Sequence, residues 1–274
     1  KIKFAYQVFS APQEILFTER EGITIFIQMF IEQKCPFLGR PLKEQFDLAL
    51  KAFKAQESAH ITTYGHGKMA HQYFRTTNAG GYLDTFRNFK SSILLRHDKN
   101  VNLSRTLEQT EKFLNQNKET IEQYSGFLTH VDFVPHNIRI QGDTIYLLDN
   151  SSLRFGNKYE GWARFLNFMA LYNPPLEAAL VQYVRDNRTE EESLSLKLMR
   201  VYRLSELMYY YTQSLEKTSG DLHTLNTKRI EFWSQVLEAV LENKFVSTEV
   251  IEEYKKTRDS LRTEEEKQRQ IGLH

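Results

Sequence analysis

Residues 129–137 read Thr-His-Val-Asp-Phe-Val-Pro-His-Asn, and Leu-Leu-Asp follows at 147–149. Asp132 comes at the end of a short apolar run, where a loop can hold its carboxylate at a fixed point. Two apolar segments, 137–140 and 144–149, lie on either side of Gln-Gly-Asp, which is the pattern of a β-hairpin. The pattern predicts that this hairpin brings the Asn137 amide oxygen and the Asp149 carboxylate to one place.

These side chains suit the chemistry of phosphoryl transfer. Mg²⁺ binds few protein oxygens and fills its other positions with water and phosphate, so the oxygens of Asn137 and Asp149 fit it. Asp132 would stand nearby and accept a proton from a hydroxyl group. His130, Asp132 and Asn137 also fill the kinase pattern H-x-D-x-x-x-x-N in register. A structural explanation stays open for each residue alone: a cap at Asp132, a core histidine at His130 and a strand-ending turn at Asp149.

The segment resembles the catalytic loop of the aminoglycoside phosphotransferase and choline kinase-like family. That loop reads H-G-D-x-x-x-x-N and is followed by a hairpin and then I-D-[WFY]; Val131 and Asn150 depart from this pattern. The resemblance implies a protein-kinase-like fold, with Asp132 and His130 as catalytic residues, Asp132 being the base, and with Asn137 and Asp149 as metal ligands. It also implies ATP, or another nucleoside triphosphate, and Mg²⁺.

The resemblance extends outward in the expected order, over about residues 11–168. Residues 14–32 are similar to the last strand pair of a kinase N-lobe, residues 46–60 to a helix of the C-lobe, and residues 156–165 to the region Gly-x-x-x-x-D-L-A. The hinge that binds adenine would then be formed by Gln28, Met29, Phe30 and Ile31.

The pattern of the whole chain predicts an α+β fold with two parts. Residues 1–34 would be a partial N-lobe with its hinge, and residues 35–274 a helical C-lobe that carries the catalytic loop and metal-binding hairpin at 129–150. We expect helices after Pro41, over 83–95, over 103–124, and from 160 onward with breaks near 173–175, 186–187 and 219–220. The family's phosphate loop and strand lysine have no match before Ala11, so we expect the chain as given to be an inactive fragment that binds ATP weakly.

Composition narrows the class of protein. The chain has 274 residues, with 36 Lys or Arg against 35 Asp or Glu, and the net charge of +1 argues against a general nucleic-acid binder. Cys35 is the single cysteine, which favours a reducing compartment, the cytoplasm. No apolar run reaches the roughly 20 residues of a membrane-spanning helix, so we expect no membrane partner. The oligomeric state is left open.

The sequence thus predicts an ATP-dependent phosphotransferase that acts on a hydroxyl group of a small molecule. The alternative is a pseudokinase-like binding module that uses the same fold without turnover. Two further groups stay open. The tyrosines at 202 and 209–211 form either a half-buried helix face or a wall of the substrate pocket, and the glutamates at 190–192 form either a helix N-terminal turn or a recognition site for a cationic substrate.

Overall fold

The computed structural model describes residues 10–64, 74–97, 100–142 and 144–269. Its first strands, β1 (Glu14–Arg20) and β2 (Ile23–Gln28), form the expected antiparallel hairpin. Glu21 and Gly22 make its two-residue turn, both with positive φ, as a tight hairpin turn requires. Large apolar side chains project from the hairpin into solvent. Phe17 and Phe26 are 64% and 52% exposed, and their rings meet edge to face.

The helices follow in chain order and confirm an α+β fold in which helix dominates. They are α1 (Leu42–Tyr64), α2 (Ala79–Arg96), α3 (Val101–Gln116), α4 (Lys118–Gln123), α5 (Glu160–Tyr172), α6 (Pro174–Asn187), α7 (Glu190–Leu215), α8 (Gly220–Leu241), α9 (Thr248–Ser260) and α10 (Glu264–Arg269). In the part of the chain that the structure describes, no helix is long and apolar enough to span a membrane.

The expectation of one helix over 103–124 is wrong, because the chain leaves the helical conformation at Asn117. Its φ of −112° and ψ of 27° end α3, and its side-chain amide donates to the carbonyl of Phe113 at 2.8 Å. An asparagine side chain competes with the helix for backbone groups, which makes it a natural stop. α4 then begins at Lys118 as a separate short helix.

The predicted helix breaks near 173–175, 186–187 and 219–220 are confirmed. The Asn173 side chain caps α6, whose first residue is Pro174, and Thr189 caps α7. Glu192 accepts the backbone N–H of Thr189 in return, which makes a capping box. Glu192 also bonds Lys158 at 3.0 Å and the hydroxyl of Tyr159. The acidic run at 190–192 therefore forms the N-terminal turn of a helix, which is the first of the two alternatives given for it.

Two short sheets position the catalytic loop. Strand β3 (Phe127–His130) pairs antiparallel with β6 (Leu153–Gly156), and β4 (Ile138–Gln141) pairs with β5 (Thr144–Leu147) as the predicted hairpin. Sequence analysis did not find β6, a four-residue strand that follows directly on the turn after Asp149. Its pairing with β3 holds the two ends of the 130–153 segment together, so the catalytic loop and the Asp149 turn face one another.

Helix α5 forms the floor beneath these sheets. Its residues are almost all buried, and Trp162 stacks on Phe53 of α1 with ring centroids 4.2 Å apart. Gly161 makes this approach possible, because a Cβ atom there would overlap the Gln56 side-chain amide and lie 2.9 Å from the carbonyl oxygen of His130. A glycine at the start of α5 thus lets the helix sit directly against the end of β3.

The N-terminal hairpin is tied to the β4–β5 hairpin on both sides. Ser10, before β1, donates its N–H to the Ile145 carbonyl at 2.8 Å and accepts the Leu147 N–H at 3.0 Å. After β2, the side-chain oxygen of Gln33 accepts the Ile140 N–H at 2.9 Å. The segment that leaves β2 is therefore held beside the hairpin that carries the candidate metal ligands.

Candidate active site

His130 ends β3 and is 1% exposed. Its Nε2 lies 3.0 Å from the Leu148 carbonyl oxygen and 2.9 Å from that of Asp149. Because both partners are acceptors, Nε2 carries the proton and donates to them. Burial lowers the pKa of His130, which keeps the ring neutral. The imidazole thus joins the end of β3 to the backbone on which Asp149 sits, which is the geometry of a positioning residue.

Asp132 lies two residues further on and is held from two sides. The Asn137 amide donates to the Asp132 carboxylate at 2.9 Å and to its carbonyl oxygen at 2.8 Å, and Arg164 Nε donates to the other carboxylate oxygen at 3.1 Å. Burial works to raise the pKa of Asp132, but the charge and hydrogen bond of Arg164 outweigh it, so this pKa lies below its ordinary value. The carboxylate is therefore ionised, fixed in orientation and still 32% exposed.

Asp149 follows β5 in a left-handed backbone conformation, with φ of 55°. Asp and Asn adopt this conformation more readily than most residues. The hydroxyl of Ser151 and that of Ser152, at 2.7 Å, donate to its carboxylate and hold its pKa below the ordinary value. The Leu148 N–H donates to the Asn137 carbonyl at 2.8 Å. This backbone hydrogen bond joins one candidate metal ligand, Asn137, to the residue that precedes the other, Asp149.

The donor set fits Mg²⁺ bound together with a phosphate ligand. Among the described residues, no three His, Cys, Asp or Glu side chains form a group able to hold a metal ion by themselves. Asn137 uses its amide nitrogen on Asp132, which leaves its oxygen as the atom for a cation. One amide oxygen and one carboxylate are what Mg²⁺ takes when water and phosphate complete its octahedron.

The predicted hinge residues lie apart from this group. Strand β2 ends at Gln28, and the Met29 N–H donates to the Gln13 carbonyl at 2.8 Å. Ile31 is buried, whereas Met29 and Phe30 are 40% and 84% exposed. Within the described residues, no hydrogen bond or ion pair joins these side chains to the catalytic loop. The two regions are linked through the β4–β5 hairpin, which bonds Ser10 before β1 and Gln33 after β2.

A cavity of about 950 Å³ opens beside the catalytic loop. Val131, next to Asp132, and Arg164, the ion-pair partner of Asp132, both belong to its wall. The wall also includes residues of β6, α2, α7, α8 and the segment between α7 and α8: Phe89, Arg154, Arg203, Glu206, Leu207, Tyr209, Tyr210, Tyr211, Gln213, Ser214, Lys217, Thr218, Leu222, Asn226 and Arg229. A small molecule in this cavity would lie beside the chain neighbour and the ion-pair partner of the candidate base.

The cavity supplies functional candidates that sequence reasoning missed. Arg154, Arg164 and Arg203 come from three separate elements, and no motif connects them. Arg164 carried one usable signal, because it is the single basic residue of the apolar helix α5. The tyrosines divide between the two explanations. Tyr202 is buried in the core, and Tyr211 is also buried although it borders the cavity together with Tyr209 and Tyr210.

Solved aminoglycoside phosphotransferases share this fold. A thermostable mutant of APH(4)-Ia in its apo form matches with a TM-score of 0.61 at 16% identity, covering 88% of this chain and 80% of its own. A ternary complex of that enzyme with ADP and hygromycin B also gives 0.61, at 15% identity, covering 87% and 79%. The GDP and kanamycin complex of APH(2'')-IIIa gives 0.57 at 12% identity, covering 87% and 78%.

No known family model matches the chain, and no curated protein matches its sequence. The similarity to the solved structures is therefore one of fold. The chain has an N-terminal hairpin, a loop after β3 that holds the catalytic motif and a second hairpin after that loop, on a helical floor. The resemblance inferred from the catalytic-loop motif is confirmed at the level of the fold, and the chain has the kinase-like fold of the aminoglycoside phosphotransferases.

Proposed function

We propose that this protein transfers the γ-phosphoryl group of ATP, or of another nucleoside triphosphate, to a hydroxyl group of a small molecule. The observation that carries the proposal is Asp132, an ionised and oriented carboxylate whose chain neighbour Val131 and ion-pair partner Arg164 line a large cavity. Support also comes from the structural neighbours, which are phosphotransferases whose complexes contain ADP or GDP. A reducing cytoplasm suits the half-buried free Cys35.

Asp132 orients the acceptor hydroxyl and receives its proton. The hydroxyl oxygen forms a bond to the γ-phosphorus while the bond from that phosphorus to its bridging oxygen breaks, and the nucleoside diphosphate leaves. Because the pKa of Asp132 is low, its carboxylate is ionised at neutral pH, and it binds the hydroxyl as a hydrogen-bond acceptor. Asn137 and Arg164 keep this carboxylate in one orientation throughout.

Mg²⁺, when bound, would neutralise charge that develops on the phosphates. Asn137 would hold it through the amide oxygen and Asp149 through the carboxylate, which the serine hydroxyls keep ionised. His130 fixes the backbone of Leu148 and Asp149 through its two hydrogen bonds, so its part in catalysis is to position the Asp149 turn. Gln28, Met29, Phe30 and Ile31, at the end of β2, would form the adenine hinge between the parts at 1–34 and 35–274.

The test is the variant Asp132→Asn, which keeps the shape of the side chain and removes its charge. We expect kcat for phosphoryl transfer to fall by at least about 10²-fold, the lower end for loss of a general base. Nucleotide binding, measured by titration calorimetry, should persist. Asp84→Asn is the matched control, since Asp84 lies exposed on α2 and, among the described residues, forms an ion pair with its neighbour Arg87 alone.

Normal turnover by Asp132→Asn would contradict the assignment of the base. If the parent protein binds nucleotide but phosphorylates none of a panel of amino alcohols, sugars and aminoglycosides, the pseudokinase-like alternative is favoured instead. That alternative uses the same residues to bind nucleotide without turnover.

A further inference from the structure

The wall of the cavity beside Asp132 is strongly cationic. Five basic side chains line it: Arg154, Arg164, Arg203, Lys217 and Arg229. Among the lining residues that the structure describes, Glu206 is the single carboxylate. This composition was not visible in the overall net charge of +1, because the acidic residues of the chain lie elsewhere.

The carboxylates around the cavity do not balance these charges. Glu160, which is fully buried behind the wall, pairs with Arg154 and, at 3.4 Å, with Arg203. Glu206 also pairs with Arg203, and Asp132 pairs with Arg164. Three of the five basic side chains thus pair with carboxylates, and Lys217 has no ion pair with any described residue.

Part of the donor capacity of the wall is unused. The Nε atoms of Arg154 and Arg203 are buried and have no hydrogen-bond partner. Lys217 is exposed at the rim and forms no ion pair with any described residue. Burial, and after it the positive charge of Arg203, lower the pKa of Arg164. An anion in the cavity would offset the positive charge of the wall and could pair with Lys217.

The same wall disfavours a polycationic acceptor. Aminoglycosides carry several protonated amino groups at neutral pH, and placing like charges together across an interface weakens binding. The acidic run at 190–192, the sequence feature that could have served such an acceptor, begins α7, and its Glu192 is bonded to Lys158 and Tyr159. The acceptor chemistry of the structural neighbours therefore does not carry over to this cavity.

We propose that the acceptor is an anionic hydroxyl compound, one that carries a carboxylate or a phosphate group and is bound by the arginines and lysine of this cavity. The exposed ring of Tyr210 supplies an apolar surface for its uncharged part, and Gln213 and Ser214 supply hydrogen bonds for further hydroxyl groups. This inference rests on the proposed phosphoryl transfer. The basic wall would offset the repulsion between such an acceptor, the nucleotide phosphates and the Asp132 carboxylate.

A series of hexoses that share one ring and differ in charge tests the inference. The probes are glucosamine, glucose, glucuronate and glucose 6-phosphate, each titrated calorimetrically into the protein without nucleotide. We expect at least one of the two anions to bind more than about tenfold more tightly than glucose, as a single charge-assisted contact allows. Glucosamine should bind most weakly. The two anions separate carboxylate from phosphate recognition, and added salt should weaken the preferred one.

Two variants assign the effect to the wall. Lys217→Gln removes an exposed charge and should weaken binding of the preferred anion by about threefold or more while leaving glucose unchanged. Glu206→Gln removes the carboxylate of the wall and should strengthen binding of the preferred anion. Lys112→Gln is the matched control, because Lys112 is exposed on α3 and does not line the cavity. Circular dichroism confirms that each variant is folded.

The outcomes separate this inference from the proposed function. Equal binding of all four hexoses, tighter binding of glucosamine, or no anion binding up to about 10 mM would overturn the inference. ATP-dependent phosphorylation of glucose or of kanamycin in preference to the anions would also overturn it, but would support phosphoryl transfer. Selective anion binding that depends on Lys217, without phosphorylation of any acceptor, would support an anion site and count against the proposed phosphoryl transfer.

Discussion

Gly161 offers a direct test of how the catalytic loop is held against the helical floor. A Cβ atom at this position would overlap the Gln56 side-chain amide and lie 2.9 Å from the backbone oxygen of His130. The backbone oxygen cannot move without disturbing β3. Gln56 could move only by giving up its 3.0 Å hydrogen bond to the buried Thr129 hydroxyl. Gly161→Ala should therefore destabilise the protein by separating α5 from β3.

The magnitude follows from these two contacts. Overpacking of a close contact costs about 1–3 kcal/mol, and loss of the Gln56–Thr129 bond costs about 1 kcal/mol more. The expected decrease in the free energy of unfolding is therefore about 2–4 kcal/mol. For a chain of this size, a change of 1 kcal/mol moves Tm by about 2–4 °C, so Tm should fall by roughly 5–15 °C.

The assay is thermal and urea unfolding followed by circular dichroism, with Gly80→Ala as the matched control. Gly80 lies in the first turn of α2, and its nearest contact for a new Cβ is the Asn78 side chain at 3.5 Å. The control should be neutral or should gain up to about 1 kcal/mol from better helix propensity. If Gly161→Ala unfolds at the same urea concentration as the parent, the close approach of α5 to β3 is not what holds the loop.

Two further predictions concern the catalytic hairpin. Asp149→Asn removes the charge and keeps a residue type that tolerates the left-handed backbone conformation. Titration calorimetry should show that the variant loses more affinity for nucleotide in the presence of Mg²⁺ than in its absence. Equal losses under the two conditions would make Asp149 a purely structural residue. Burial lowers the pKa of His130 below its ordinary 6.5, so the folded protein takes up fewer protons than the unfolded chain as the pH falls through that value. The free energy of unfolding should therefore decrease as the pH drops below 6.5, and His130→Gln should make this decrease shallower. Urea unfolding at a series of pH values between 7 and 5 measures it; the same dependence of the unfolding free energy on pH in the parent and in the variant would refute a neutral buried His130.

Much of the fold was predictable because the relevant signals are local. Asn173 and Pro174 end one helix and begin the next through backbone geometry and capping, which neighbouring residues decide. The hairpin after the catalytic loop was predictable for the same reason, since its turn and its alternating strands lie within a dozen residues. The break at Asn117 was missed because asparagine also occurs within helices, and only the observed backbone shows where it stops one.

The sequence by itself determined the catalytic spacing. His130, Asp132 and Asn137 belong to one loop, whose length limits how far apart their side chains can be. The structure places them within hydrogen-bonding distance of each other or of the Asp149 backbone. Their roles as base, positioning group and metal ligand remain predictions, which the variants of Asp132 and Asp149 test.

Only the tertiary structure decided the charge of the cavity beside that loop. Arg154, Arg164 and Arg203 come from β6, α5 and α7, and they meet because those elements pack around the buried Glu160. Ion pairs act through space and have no fixed separation along the chain, so neither spacing nor composition reveals which charges are compensated. A chain with nearly balanced charge overall can therefore fold so that a surplus of positive charge lines the cavity beside its candidate catalytic aspartate.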